Sequence, residues 1–238
     1  MYKRQATDNS CSDFYLNKDP ECISATPNLG ISTLEVLWEA TEGTIDNRIP
    51  PVVGDIDGDC IPDIVSFDEG ELNIYDGVTG RRKTTFAVAT DNRNVWGSLA
   101  IADLDNDGNG EIVLQEGLAI TAYHHDGSQM FKADSLLNKE SAMLAFADFN
   151  EDGLPEIYAE DLVINGQTGE YIARGGVRKG TVNSHNANTI AGDFLPDGFC
   201  ASCDGLELIA GGIVYSVDEV NDTMYVCLLY TSPSPRDA

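Results

Sequence analysis

Short runs of β-branched, aromatic and other apolar residues alternate with turns rich in Gly and Asp along most of the chain. The pair Ile112-Val113 lies in one such run, and "ITAYHHDG" at 120–127 and "SQMFKA" at 128–133 follow it. Short runs separated by turns of this kind are typical of strands joined in hairpins. No apolar stripe of helical period is sustained, so the pattern predicts an all-β protein.

The pattern repeats with a nearly constant period. Four segments align with one another, and their leading residues, Asp55, Asp103, Asp148 and Asp193, are separated by 48, 45 and 45 residues. Four strands in a unit of this length are typical of a β-propeller blade, so we predict about four blades from a ring of seven or eight. The predicted blades lie near residues 50–95, 98–140, 143–187 and 190–226.

The two ends of the chain do not follow the repeat. Residues 1–5 and 227–238 resemble translated sequencing-adapter sequence, so we exclude them from the predicted fold and expect a fragment of a longer protein. Residues 6–30 are predicted to be irregular, and the partial propeller to span 31–226. Within it, "STLEVLWEA" at 32–40 has the pattern of a fourth strand that completes a preceding blade.

The charge of the chain limits its partners. Lys and Arg number 14 against 40 Asp and Glu, which gives a formal net charge of −26. Nucleic acids and anionic membranes are polyanions, so this acidity argues against both and favours bound cations. No apolar run approaches the roughly 18 residues that would indicate a membrane span.

The acidic residues are concentrated in loops that open each repeat, and the clearest is "DLDNDGNGE" at 103–111. Carboxylates alternate at its positions 1, 3 and 5, and another follows at position 9. A hard cation such as Ca²⁺ takes six to eight oxygens, and Gly108 at position 6 permits the positive φ of a tight turn. The predicted ligands are Asp103, Asp105, Asp107, Glu111 and the carbonyl of Asn109.

Two other loops follow the same pattern, and a fourth does not. In the first loop Cys60 replaces the glycine, and in the fourth Leu195 replaces a ligand and the next acid in register, Glu207, is displaced by an insertion. We therefore predict calcium in three loops and not in the fourth. The further predicted ligands are Asp55, Asp57, Asp59, Asp63 and the Ile61 carbonyl, and then Asp148, Asn150, Asp152, Glu156 and the Leu154 carbonyl.

Two alternatives to these sites were weighed. An EF-hand ends in a bidentate Glu at position 12 between two helices, whereas position 12 here is Ser66, Leu114 or Ala159 and the flanks are strand-like. A solvated acidic turn without a metal explains one such loop. It explains three loops in register much less well.

With these motifs the chain resembles FG-GAP/VCBS-type repeats, the calcium-binding blades of integrin α-subunit propellers and of many secreted microbial proteins. The resemblance covers roughly residues 50–218 and rests on the pattern D-x-[DN]-x-D-G-x-x-[DE] between strands. It implies Ca²⁺ as the cofactor, with ligand roles on the positions already named. It also implies an extracellular, cell-surface or periplasmic protein, because weak calcium sites need more calcium than the cytosol offers.

Cysteine usage agrees with an oxidising compartment. Cys11 and Cys22 flank a short loop, Cys200 and Cys203 form a CxxC, and Cys60 is left as a lone cysteine. The CxxC can instead be half of a zinc site, although no second pair at ligand spacing accompanies it.

No catalytic residue is singled out. His124 and His125 are interpreted as turn residues, His185 as a loop residue, and Arg81, Arg82 and Lys83 as a solvated hairpin. The sequence therefore favours a non-catalytic calcium-binding propeller that contacts an extracellular protein or glycan. The alternative is the propeller of a calcium-dependent polysaccharide lyase of the rhamnogalacturonan type, whose blades carry similar acidic loops.

Overall fold

The computed structural model describes residues 36–42, 49–68, 70–88, 98–134, 137, 142–175, 189–196, 199 and 205–229. These residues form β-strands and no helix, so none of them provides a helix that could cross a membrane. The strands are β1 (Val52–Gly54), β2 (Asp63–Asp68), β3 (Glu71–Asp76), β4 (Arg82–Ala87), β5 (Leu99–Ala102), β6 (Glu111–Glu116), β7 (Ala119–Tyr123), β8 (Gln129–Ala133), β9 (Ala145–Ala147), β10 (Glu156–Ala159), β11 (Leu162–Ile164), β12 (Tyr171–Arg174), β13 (Thr189–Gly192), β14 (Glu207–Ala210), β15 (Ile213–Asp218) and β16 (Thr223–Leu229).

Several predicted features lie outside the described residues. They are residues 1–5, the irregular segment 6–30, residues 230–238, Cys11, Cys22, Cys200, Cys203, Trp96 and His185.

The strands form four four-stranded antiparallel sheets, and in each sheet the strands follow chain order. Sheet 1 is β1–β4, sheet 2 is β5–β8, sheet 3 is β9–β12 and sheet 4 is β13–β16. Each strand therefore pairs with the next along the chain through a short turn, as in a propeller blade. The predictions of an all-β fold and of four blades are confirmed.

The sheets pack face to face, and the middle strands show it most directly. Along β6, Ile112 and Leu114 belong to the core between sheets 1 and 2, whereas Val113 between them belongs to the core between sheets 2 and 3. Along β10, Ile157 faces sheet 2 and Tyr158 faces sheet 4 in the same alternation. A strand buried on both faces needs a continuous apolar run, which explains why these strands lack an apolar–polar alternation.

The outer strand of every sheet carries a bulge at the same place. In sheet 1, Ile74 pairs with Thr84 and Tyr75 pairs with Arg82, so the residue between the two pairs is left without a partner on β3. A bulge of this kind bends the strand and re-aims a side chain. The residues in this position are Lys83, Met130, Ile172 and Cys227.

Aromatic side chains from one sheet lie on turn glycines of the next. A Cβ at Gly127, in the β7–β8 turn, would lie 2.8 Å from Cγ of Phe86 on β4, and Phe131 on β8 lies against Gly169 in the same way. Trp38 takes the same place on Gly80 of sheet 1 and donates its indole N–H to the carbonyl of Gly77, at 3.1 Å.

The segment around Trp38 corrects one prediction. A strand is predicted at 32–40, but residues 36–40 form none, and 32–35 lie outside the described residues. The segment instead contacts sheet 1 through side chains: the Tyr75 hydroxyl donates to the Glu42 carbonyl at 3.0 Å, and Arg82 forms an ion pair with the Glu42 carboxylate at 3.3 Å. These contacts cover the edge of the sheet without adding a backbone ladder.

Sheet 4 differs from the others at its outer hairpin. Ladder pairs continue past Ser216 to Val217–Met224 and Asp218–Thr223, so this hairpin is longer than the four-residue turns of the other sheets. At its far end β16 runs to Leu229, three residues beyond the predicted end of the propeller at 226. An open strand edge pairs with any extended chain that follows it, which sequence pattern alone does not reveal.

Candidate metal sites

Three acidic loops connect the first and second strands of sheets 1, 2 and 3. We call them loop 1 (55–63), loop 2 (103–111) and loop 3 (148–156), and number positions 1–9 from the leading aspartate. In each loop the backbone N–H of position 6 donates to the carboxylate of position 1, so this carboxylate closes the turn. The bonds are Cys60 to Asp55 at 2.9 Å, Gly108 to Asp103 at 3.2 Å and Gly153 to Asp148 at 2.9 Å.

The second half of each loop is also the same. The N–H of position 7 donates to the position-5 carboxylate, which places the predicted carbonyl ligand one peptide from that carboxylate. The bonds are Ile61 to Asp59 at 2.8 Å, Asn109 to Asp107 at 2.7 Å and Leu154 to Asp152 at 2.8 Å. The role of these carbonyls in metal binding remains a prediction.

Position 6 has positive φ in all three loops, as predicted: 68° at Cys60, 97° at Gly108 and 91° at Gly153. A residue with a Cβ loses roughly 1–2 kcal/mol in this conformation, so Cys60 carries backbone strain that the glycines avoid. Cys60 is disulfide-bonded, which corrects the prediction of a lone cysteine. The covalent bond gives this strained position a reason that spacing alone did not indicate.

The acid at position 9 begins the second strand and is buried. Glu111 and Asp63 are fully buried and Glu156 is 2% exposed. One oxygen of Glu111 accepts the N–H of Leu104 at 2.8 Å, and Glu156 accepts that of Phe149 at 2.9 Å. Burial raises the pKa of Glu111, and burial together with the charge of nearby Glu219 raises the pKa of Glu156 to about 8. Both carboxylates are therefore costly to ionise unless a cation is near.

Loop 2 brings its predicted carboxylates together. Asp103, Asp105 and Asp107 each offer an oxygen, and these atoms lie within 4.8 Å of one another. Asp105, Glu111 and His124 form a second such group, in which His124 Nδ1 lies 3.3 Å from Glu111 Oε1. Two unit charges at this separation repel by roughly 3–4 kcal/mol near a protein surface, so the loop favours a shared cation. His124, predicted to be a turn residue, faces this group.

Loop 3 acquires a carboxylate from the neighbouring sheet. Asn150 Nδ2 donates to Glu219 Oε2 at 2.8 Å and to Asp152 Oδ2 at 3.2 Å. Glu219 lies at the tip of the long β15–β16 hairpin, and it is absent from the predicted ligands because no local pattern marks it. Among the described residues, no group of three convergent acidic, His or Cys side chains forms here, since Asn150 replaces one acid.

Loop 1 holds a lysine. Oxygens of Asp55, Asp57 and Asp59 lie within 4.8 Å of one another. Lys83 Nζ lies 2.8 Å from Asp57 Oδ2, 2.9 and 3.0 Å from the two oxygens of Asp63, and 3.8 Å from Asp59 Oδ2. Partial burial by itself lowers the pKa of Lys83, but its hydrogen bonds to Asp57 and Asp63 outweigh this and raise the pKa. The predicted solvated hairpin at 81–83 thus contributes an ion-paired residue.

The fourth loop keeps only part of the pattern. Glu207 accepts the N–H groups of Phe194 at 2.9 Å and Leu195 at 3.1 Å, which repeats the anchoring role of position 9. Leu195, which replaces the position-3 ligand, is buried. This loop retains the structural carboxylate and loses a ligand. The predicted Cys200–Cys203 bridge lies outside the described residues.

Neighbouring loops lie against each other. The N–H of Gly110 in loop 2 donates to the carbonyl of Ile56 in loop 1 at 3.0 Å, and a Cβ at Gly110 would lie 2.7 Å from the carbonyl oxygen of Asp55. The acidic loops therefore line one side of the stacked sheets, and acidic groups that could bind a metal are concentrated there.

Together, the four-stranded blades and the acidic loops between their first two strands define a repeat protein of the propeller class. Residues 55–114 match the family model described as FG-GAP-like repeat, which confirms the resemblance over that segment. No curated protein matches the sequence.

Solved structures of propeller-containing proteins share the fold. The biofilm matrix protein Bap1 of V. cholerae has 24% identity and a TM-score of 0.52, over 75% of this chain and 26% of Bap1. The exotype rhamnogalacturonan lyase YesX has 16% identity and a TM-score of 0.53, over 73% and 37% of the two chains. The Bacillus licheniformis rhamnogalacturonan lyase PL11 has 16% identity and a TM-score of 0.52, over 73% and 38%. The chain thus spans about a quarter to two fifths of the length of these proteins.

Proposed function

We propose that this chain is part of a non-catalytic, calcium-binding β-propeller of a secreted or cell-surface protein that contacts an extracellular protein or glycan. The observation that carries the proposal is the convergence of Asp103, Asp105 and Asp107, on a loop whose hydrogen bonds recur in loops 1 and 3. Carboxylate oxygens fixed by backbone N–H groups on a tight loop are the ligands that Ca²⁺ prefers. The chemistry that the ion supplies is charge neutralisation, which stabilises the loops and the sheets that they join.

The size of this effect favours an extracellular setting. A site with a Kd of about 0.1 mM gains about 1.4 kcal/mol at roughly 1 mM calcium. Two such sites contribute about 3 kcal/mol, a sizeable fraction of the net stability of a domain. Cytosolic calcium would leave sites of this strength without an ion. The name of Bap1, a biofilm matrix protein, agrees with this setting for one protein that shares the fold.

The alternative is a polysaccharide lyase propeller, and two of the structures with this fold are rhamnogalacturonan lyases. A lyase acting on an acidic polysaccharide needs cationic side chains that are free to meet it. The basic run that could serve, residues 81–83, is largely engaged within the protein: Lys83 contacts three aspartates and Arg82 pairs with Glu42. These contacts favour the non-catalytic proposal.

Thermal unfolding in millimolar calcium and in EDTA tests the metal proposal. We expect calcium to raise Tm by about 6–12 °C, since 1 kcal/mol shifts Tm by about 2–4 °C in a domain of this size. Asp105→Asn, which removes one charge from both groups of loop 2, should reduce the shift, while Asp134→Asn, an exposed residue outside the loops, should not. Superimposable curves with calcium and with EDTA reject the proposal.

A direct assay separates the two functions. The full chain, loaded with calcium, is incubated with rhamnogalacturonan, and unsaturated elimination products are followed by ultraviolet absorbance. We expect no products. Their appearance, and its loss on chelation, would favour the lyase.

A further inference from the structure

The cation of loop 1 is already part of the chain. We propose that the ammonium group of Lys83 permanently occupies the cation position of loop 1, so that this loop takes up no calcium while loops 2 and 3 do. The inference deepens the proposed function and rests on it for the statement about loops 2 and 3. The role of Lys83 itself stands on the geometry of loop 1.

The distances leave no room for a second cation. Lys83 Nζ lies 2.8 Å from Asp57 and 2.9–3.0 Å from both oxygens of Asp63. A calcium ion needs these same oxygens at 2.3–2.6 Å, so the ion and the ammonium group would compete for one set of ligands and repel each other. The Asp63 side chain is fully buried and that of Lys83 is 26% exposed, so water screens the pair only partly.

The backbone of β4 explains why the lysine reaches the loop. Lys83 is the bulged residue between the pairs Ile74–Thr84 and Tyr75–Arg82, and a bulge re-aims the side chain that it carries. The corresponding residues of sheets 2 and 3 are Met130 and Ile172, which carry no charge. Only loop 1 of the three is therefore supplied with a cation from its own outer strand.

A second departure points the same way. Position 6 is glycine in loops 2 and 3, but in loop 1 it is Cys60, which is disulfide-bonded and has a φ of 68°. A covalent bond and an internal ammonium group both hold loop 1 without an added ion. The loop keeps the acidic pattern of its neighbours, yet it is stabilised by the chain itself.

Calcium stoichiometry of matched variants tests the inference. The full chain, under non-reducing conditions, is titrated with calcium by isothermal calorimetry. Asp59→Asn and Asp107→Asn change the same position of loops 1 and 2, and Asn keeps the oxygen that accepts the position-7 N–H. We expect wild type to bind two ions, D59N still two, and D107N one. Three ions in wild type, or an equal loss in both variants, overturns the inference and leaves the proposed function intact.

Removing the lysine gives the reciprocal test. Lys83→Met should create a third calcium site, and D59N should abolish that site in the K83M background. Lys132→Met is the matched control, because Lys132 lies on the next outer strand and pairs with Glu116 and Asp134 away from the loops. An unchanged stoichiometry of two in folded K83M contradicts the inference.

Thermal unfolding in EDTA tests Lys83 even if no variant binds calcium, a result that would reject the proposed function. Without its ammonium group, loop 1 holds four aspartates with no counter-charge, so K83M should lower Tm by several degrees more than K132M does. Calcium should restore the loss in K83M and not in K132M. Equal shifts for the two variants in EDTA contradict the role of Lys83.

Discussion

At the scale of single residues, the molecule handles buried carboxylates in different ways. Asp63 meets a lysine, Glu111 meets His124 and a backbone N–H, and Glu207 anchors two backbone N–H groups. Each of these acids starts the second strand of its sheet, which is buried by the neighbouring sheets. The common position fixes the burial, and the partner supplied by the rest of the chain decides how the charge is tolerated.

Glu116 gives a pH-dependent prediction away from the acidic loops. Its side chain is 7% exposed, with Lys132 Nζ at 3.6 Å and the Tyr123 hydroxyl at 3.2 Å. Burial raises the pKa of Glu116, and the lysine and the hydroxyl offset this only in part. Because the pKa is higher in the folded protein, the stability that this group contributes is present below its unfolded value and declines as pH rises through the folded value.

Glu116→Gln removes this titration. We expect the free energy of unfolding of E116Q, relative to wild type, to become more favourable as pH rises from 5.0 to 7.5, measured by urea unfolding at constant calcium. Glu71→Gln, at an exposed position of β3, is the control and should show no such trend. A pH-independent difference between E116Q and wild type would contradict the prediction.

At the scale of elements, sheets are joined through aromatic residues that lie on turn glycines. Gly127 has a φ of 88° and Phe86 of the preceding sheet covers it, while Gly117 has a φ of 60° and no atom within 4 Å of where a Cβ would lie. The two glycines therefore separate backbone strain from packing between sheets.

Gly117→Ala should destabilise the protein by about 1 kcal/mol, from strain alone. Gly127→Ala should cost about 2–4 kcal/mol, because the new methyl group also meets Phe86. Urea unfolding of both variants, and of the G127A/F86A pair in a double-mutant cycle, measures the difference. Equal losses for the two glycines, or no coupling between residues 86 and 127, would show that this contact does not join the sheets.

The sequence predicts the parts of this architecture that depend on local pattern. Strands, turns and the acidic loops lie within single repeats, so period and alternation reveal them. The residues that complete the loops come from far along the chain: Lys83 is 26 residues from Asp57, and Glu219 is 69 residues from Asn150. Their positions depend on a bulge and on a lengthened hairpin, which are products of strand register and leave no signature in composition.

At the scale of the whole molecule, the acidic loops lie side by side while the chain carries a net charge of −26. Repulsion among charges on one side of the stacked sheets opposes folding, and both bound cations and dissolved salt reduce it. Cations at the loops act on the strongest and most local part of this repulsion, where carboxylates lie within 4.8 Å of one another. Salt acts on the part that extends through solvent.

These two effects should therefore overlap in a measurable way. In EDTA, we expect Tm to rise clearly as NaCl increases from 50 to 500 mM, because the screening length falls from more than about 10 Å to roughly 4 Å. With saturating calcium the same series should raise Tm much less, since the closest repulsions are already neutralised. The calcium-loaded series is its own control for salting-out, which strengthens apolar burial to a similar extent in both conditions. Equal slopes with and without calcium would mean that the ions do not relieve the repulsion of the loops, and that stability is set by the cores between the sheets.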